Sequence, residues 1–94
     1  MAVLVTQQVA ATEEQYRAVN DALETHASPP AGLIVHTGGP IGDGELRVVD
    51  VWESTEAFET FAASRLAPAI AQVMGDDAPK PSVEIRELYD VIRG

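Results

Sequence analysis

Hydrophobic positions along the chain switch between two periods. Met1–Val9 is rich in β-branched residues, lacks Gly and Pro, and reads as a strand. Tyr16, Val19 and Leu23 then recur at helical spacing. Thr12 and Gln15 stand at capping-box spacing ahead of that stripe, with Glu13 and Glu14 in the first turn, where the helix dipole favours acid. Glu13 and Arg17 form an i,i+4 pair on the outer face. The helix ends before Ser28-Pro29-Pro30, because proline cannot continue it and restricts its predecessor. Gly32–Thr37 reads as a second strand and Glu45–Glu53 as a third, joined as a hairpin by the turn formers of Gly38–Gly44. Ser54 caps a second helix, with Glu56 in its first turn and Phe58, Phe61, Leu66, Ile70 and Val73 as its apolar stripe. Pro68 kinks or restarts that helix and Gly75 ends it. Beyond the loop Asp76–Pro81, Ser82–Ile92 reads as a last strand, interrupted by Glu87 and Asp90.

The order βαββαβ predicts a ferredoxin-like α+β fold, one four-stranded antiparallel sheet with both helices on one face, as a single domain over residues 1–94. Val3, Val5, Leu33, Val35, Val49 and Val51 are expected to form the apolar face under the helices. The opposite face then carries Leu4, Thr6, Gln8, Ile34, His36, Val48, Asp50 and Trp52. A solvated face does not normally hold that many apolar groups, so this arrangement predicts a second copy packed sheet to sheet around a lined cavity. Size points the same way, because a domain of 94 residues buries only about 60–65% of its unfolded surface.

Charge and composition remove whole classes of function. Fifteen acidic residues against six basic ones give a net charge of −9, which repels nucleic acid and anionic lipid and otherwise serves solubility. No run of 18 apolar residues exists to span a membrane. Met1–Val9 has no basic n-region, so it is not read as a signal peptide, and a bacterial cytoplasm is the expected location. Cysteine is absent, which excludes disulfides, zinc–thiolate sites and thiol nucleophiles. The Gly38–Gly44 run lacks the Gly-Lys-Ser/Thr ending of a phosphate loop, and no dinucleotide fingerprint or metal-ligand spacing occurs, so no cofactor and no metal are expected.

Gly32-Leu33-Ile34-Val35-His36-Thr37 before a Gly/Pro hairpin, the run Val49-Asp50-Val51-Trp52-Glu53-Ser54, and Ala57-Phe58 with Arg65-Leu66-Ala67-Pro68-Ala69 resemble the dimeric α+β-barrel superfamily. Within it, the sequence looks most like the antibiotic-biosynthesis-monooxygenase-like proteins. The resemblance covers nearly the whole chain. It implies a homodimer with a ligand cavity, and the superfamily includes cofactor-free oxygenases of aromatic polyketides, haem-degrading oxygenases, isomerases and cyclases. The haem-degrading relatives use a histidine on the second helix as iron ligand, and Ser54–Met74 contains none. His36 lies on a strand and His26 near the end of the first helix.

His36 is the candidate general base, since imidazole exchanges protons near neutral pH, or else a hydrogen-bonded histidine lining the barrel. Asp50, between apolar neighbours, is either a proton acceptor or the partner of an arginine such as Arg47 or Arg86. With Gly38–Gly44 as the loop, His36 faces Leu46, which places it about 13 Å along the strand from Asp50, too far for a dyad. Trp52 is a candidate to stack on a planar substrate, or a large core residue. Thr6, Gln8, Arg86 and Tyr89 are further candidate lining residues. Tyr16, Phe58 and Phe61 fit the core. With these residues, the resemblance implies a small homodimeric enzyme acting on an aromatic or polyketide-like molecule by oxygenation, cyclisation or isomerisation. A non-catalytic ligand-binding or structural dimer, and an accessory protein of a larger enzyme, remain as alternatives.

Overall fold

The computed structural model describes residues 1–24 and 27–94. His26 lies outside them. Among the described residues, eight elements follow one another: β1 (Val3–Ala10), α1 (Glu13–Leu23), β2 (Leu33–Gly42), β3 (Glu45–Trp52), α2 (Thr55–Phe61), a π-helical turn (Ala62–Leu66), α3 (Ala67–Met74) and β4 (Ser82–Glu87). The four strands form one antiparallel sheet in the order β2-β3-β1-β4, which is the ferredoxin-like arrangement expected from the sequence. Among the described residues, no helix is long and apolar enough to cross a membrane.

Local chemistry explains the helix ends. Thr12 accepts from the Gln15 backbone N–H while the Gln15 side chain accepts from the Thr12 N–H, a complete capping box that starts α1. Arg17 donates to Glu13 at 2.8 Å, one turn apart on the solvent side, and the Glu13 carboxylate holds the guanidinium above its ordinary range. Ser54 caps α2 by accepting from the Ala57 N–H. Pro68 has no N–H to give to the residue four before it. The π-turn directly ahead of it, where the Ala67 N–H reaches back to the Ala62 carbonyl, absorbs the discontinuity, and α3 continues the helical stretch. Arg65, on that turn, donates to the carbonyls of Leu23 and Ser28 at 2.6 and 3.1 Å and so ties it to the C-terminal end of α1.

The hydrophobic core lies between the sheet and the helices. Val3, Val5, Leu23, Trp52, Phe58, Phe61 and Ala69 form one buried cluster, with Val19, Leu33, Leu66 and Ile85 packed against it. Phe58 meets Trp52 edge-on and Phe61 meets it tilted, at ring-centroid distances of 5.8 and 5.2 Å. Gly32 closes the approach of β2 to α2. Its φ is +86°, and a Cβ there would come within 2.7 Å of the Ala57 methyl.

The register corrects the expected division of the sheet faces. Val3 pairs with Trp52, Val5 with Asp50 and Gln7 with Val48, so Trp52, Asp50, Val48 and Leu46 share the helix side with Val3, Val5, Gln7 and Val9. Val49 and Val51 point to the outer face with Leu4 and Thr6. On β2, Leu33 pairs with Trp52 but Val35 pairs with Val51, a β-bulge at Ile34 that inverts the alternation. Val35 is thereby turned outward, and His36, opposite Asp50, is turned inward.

Candidate functional site

Asp50 is the organising group. Its side chain is only 4% exposed, in the middle of central strand β3. A carboxylate in that position needs hydrogen bonds to offset lost hydration. It has two. His36 Nδ1 lies 2.7 Å from Oδ1, and the Trp52 indole N–H donates to Oδ2 at 3.3 Å. The second nitrogen of His36 is also occupied, with Tyr16 Oη 2.8 Å from Nε2 and the two rings stacked at an interplanar angle of 13°. The donor directions follow from the groups. The indole N–H can only donate, and a carboxylate can only accept, so with Asp50 ionised the imidazole carries its proton on Nδ1. The lone pair on Nε2 then accepts from the Tyr16 hydroxyl. A continuous chain Trp52–Asp50–His36–Tyr16 therefore runs from the core outward, through a histidine side chain that is 31% exposed to the Tyr16 hydroxyl.

This geometry overturns the expected separation of about 13 Å between His36 and Asp50. The Gly38–Gly44 run is not a loop. β2 stays paired through Gly42 opposite Glu45, so only Asp43 and Gly44 turn, and His36 stands across from Asp50 rather than Leu46. Nor does Asp50 pair with an arginine.

The chain of hydrogen bonds forms part of the wall of a cavity of about 100 Å³ between sheet and helices. Its surface is largely apolar, with Val19, Leu23, Leu66, Ile70 and Met74 on the helix side and Val9, Leu46, Val48 and Trp52 on the sheet side. Gln7, Gln15, Asn20, Tyr16, His36 and Asp50 supply the polar positions. Convergence of a few polar groups in an apolar hollow is the usual make-up of a small-molecule site. Trp52 belongs both to the core cluster and to the cavity lining. Thr6, Gln8 and Arg86 lie on the opposite sheet face by register, and Arg86 pairs there with Glu84 at 3.2 Å. Tyr89, beyond β4, is fully exposed. None of these four lines the cavity.

Tyr16, Gln7, Gln15 and Asn20 are the polar site residues that sequence patterns missed. Helical spacing placed Tyr16 correctly on the inner face of α1, yet gave no sign that its hydroxyl had a polar partner. The signal was Gly38. A Cβ at that position would overlap the Tyr16 phenol, coming within 2.8 Å of its Cε1, so glycine is what allows the ring to lie across β2.

Solved structures match this architecture over nearly the full chain. One is Rv0793 from Mycobacterium tuberculosis, with a TM-score of 0.71 and 20% identity, covering 99% of this chain and 100% of that one. A second, from Deinococcus radiodurans and provisionally assigned as an antibiotic biosynthesis monooxygenase, gives 0.68 at 14% identity, covering 97% and 96%. The chain has the fold of the antibiotic-biosynthesis-monooxygenase-like proteins. Another protein of this fold, SnoaB from Streptomyces nogalater, is a cofactor-independent oxygenase. An asparagine-to-alanine mutant of it matches with a TM-score of 0.67 at 13% identity, covering 99% and 98%. No protein-family model matches the chain, and no curated protein does.

Proposed function

We propose that the chain is a homodimeric enzyme of bacterial secondary metabolism that removes a proton from an aromatic or polyketide-like molecule, so that the resulting carbanion reacts with dioxygen without a cofactor. The observation that carries this reading is a histidine held by a buried carboxylate on the wall of an apolar cavity. The cofactor-independent oxygenase that shares the fold supports it.

In this mechanism His36 Nε2 is the base. Asp50 is a positioning residue, fixing the Nδ1–H tautomer and stabilising the imidazolium once the proton has moved. Trp52, buried against Phe58 and Phe61, holds the Asp50 carboxylate through its indole N–H. An apolar cavity favours a delocalised carbanion over a localised charge. Overall, an acidic CH2 carbon loses two hydrogens and becomes a carbonyl; one atom of dioxygen stays on carbon and the other leaves as water. A polycyclic anthrone has such a carbon. The purified protein is expected to take up dioxygen with an anthrone and to raise quinone absorbance above the uncatalysed rate. Conversion without dioxygen uptake would instead show cyclisation or isomerisation. Binding without conversion would favour the second reading, a ligand-binding dimer, for which the occupied Nε2 of His36 speaks.

The outer sheet face is the proposed dimer surface. Leu4, Val49 and Val51 lie there half-buried beside the exposed Val35, and apolar groups so placed gain from being covered. Replacing Val51 by aspartate puts an unpaired charge into that contact. Light scattering is expected to report a dimer for the native chain and a monomer for Val51→Asp. A native monomer would sink the dimer.

A further inference from the structure

Space and chemistry are divided between two neighbouring hollows. The inner cavity holds His36, Asp50 and Trp52, but at about 100 Å³ it is smaller than the roughly 150 Å³ in which a single benzene ring is held. The outer cleft, between the start of α1 and the β2–β3 hairpin, offers about 370 Å³, within the range of small-molecule sites. Its lining contains neither His36 nor Asp50. Three residues border both hollows: Ala11, Tyr16 and Leu46. Ala11 is a buried residue held by its N–H to the Gly44 carbonyl, and Leu46 is buried in β3. Tyr16 alone among the three has a long side chain lying at the protein surface, across a glycine and on an edge strand.

We propose that Tyr16 is a displaceable internal ligand of His36. Its phenol holds Nε2 and closes the inner cavity, and a bound molecule's hydroxyl takes over that bond as the ring swings off Gly38. The two hollows then become one site, with His36 exposed to the ligand. This rests on the reading of the inner cavity as the ligand site. It adds a selection rule: a ligand that can donate a hydrogen bond to Nε2 replaces what Tyr16 gave up, and one that cannot leaves the nitrogen unpaired. Tyr16 is thus a specificity-determining residue, because every ligand competes with it.

The test uses 2-naphthol and its methyl ether as probes, with calorimetric titration of the native protein and of Tyr16→Phe. Phenylalanine keeps the ring and removes the competing hydroxyl. Tyr16→Phe is expected to bind 2-naphthol roughly 2- to 12-fold more tightly than the native chain, the equivalent of one net hydrogen bond. The methyl ether, which displaces the same hydroxyl, is expected to gain by a similar factor and to bind each protein more weakly than 2-naphthol. Trp52 is the only tryptophan, so its indole N–H resonance shows whether a probe enters the inner cavity. If 2-naphthol moves that resonance but binds both proteins equally, or binds each no more tightly than the ether does, the exchange at Nε2 does not occur and the cavity reading still stands. If neither probe binds either protein, the cavity reading falls and takes this proposal with it.

Discussion

Replacing His36 by alanine is expected to lower turnover of a true substrate by roughly 10²- to 10⁴-fold, the usual contribution of a positioned acid–base group. The protein is expected to remain folded, because the side chain sits at the rim of the cavity on an edge strand and is not part of the core cluster. Among the described residues the cavity offers no second imidazole, and the remaining polar groups there are amides, the Tyr16 hydroxyl and Asp50. Asp50→Asn separates positioning from chemistry. An asparagine amide facing Nδ1 can donate to it, which allows the imidazole to carry its proton on Nε2. That variant is expected to lose kcat with little change in KM, and to shift the tautomer of His36. Retained turnover in His36→Ala, measured against the uncatalysed rate, would remove His36 from the mechanism.

The largest effect on stability is expected at Trp52. Its side chain is 1% exposed and contacts Phe58 and Phe61 while its N–H satisfies Asp50. Trp52→Ala forfeits the burial, leaves a hollow beside an existing cavity, and takes a hydrogen bond from a buried carboxylate. Losses of about 3–5 kcal/mol are typical of such truncations, against a total stability of about 5–15 kcal/mol for a domain. Trp52→Phe keeps most of the apolar area and is expected to lose less, through packing and the missing N–H. Urea unfolding followed by circular dichroism at fixed protein concentration measures both. A loss below about 1 kcal/mol for Trp52→Ala would mean that the core does not rest on this side chain.

The element order was legible because its signals are local. The capping box at Thr12, the Ser54 cap, Pro68 and Gly75 each act through backbone groups within a turn of themselves. The division of the faces was not legible, for two physical reasons. Both faces of β3 carry apolar residues, Leu46, Val48 and Trp52 on one side and Val49 and Val51 on the other, so alternation alone does not choose. Asp50 did not choose either, because a buried carboxylate is costly only when unpaired, and one of its two hydrogen bonds comes from a residue 14 positions away. On β2 the bulge at Ile34 inverts a period of two, and glycines and Pro40 read as a loop although an edge strand tolerates them. These same irregularities bring His36 to Asp50. The site lies where the sequence broke its pattern, and patterns report regular structure only.

Everything proposed for the site depends on His36 being held by Asp50, with its proton on Nδ1 and its Nε2 available to accept. Long-range proton–nitrogen correlation of the ring-labelled histidines observes this directly, with His36→Ala assigning the signals. The account predicts an imidazole of His36 protonated on Nδ1, bearing a slowly exchanging, strongly downfield Nδ1–H that Asp50→Asn abolishes. A His36 ring protonated on Nε2, or one averaging freely between both tautomers and unaffected by Asp50→Asn, would contradict it.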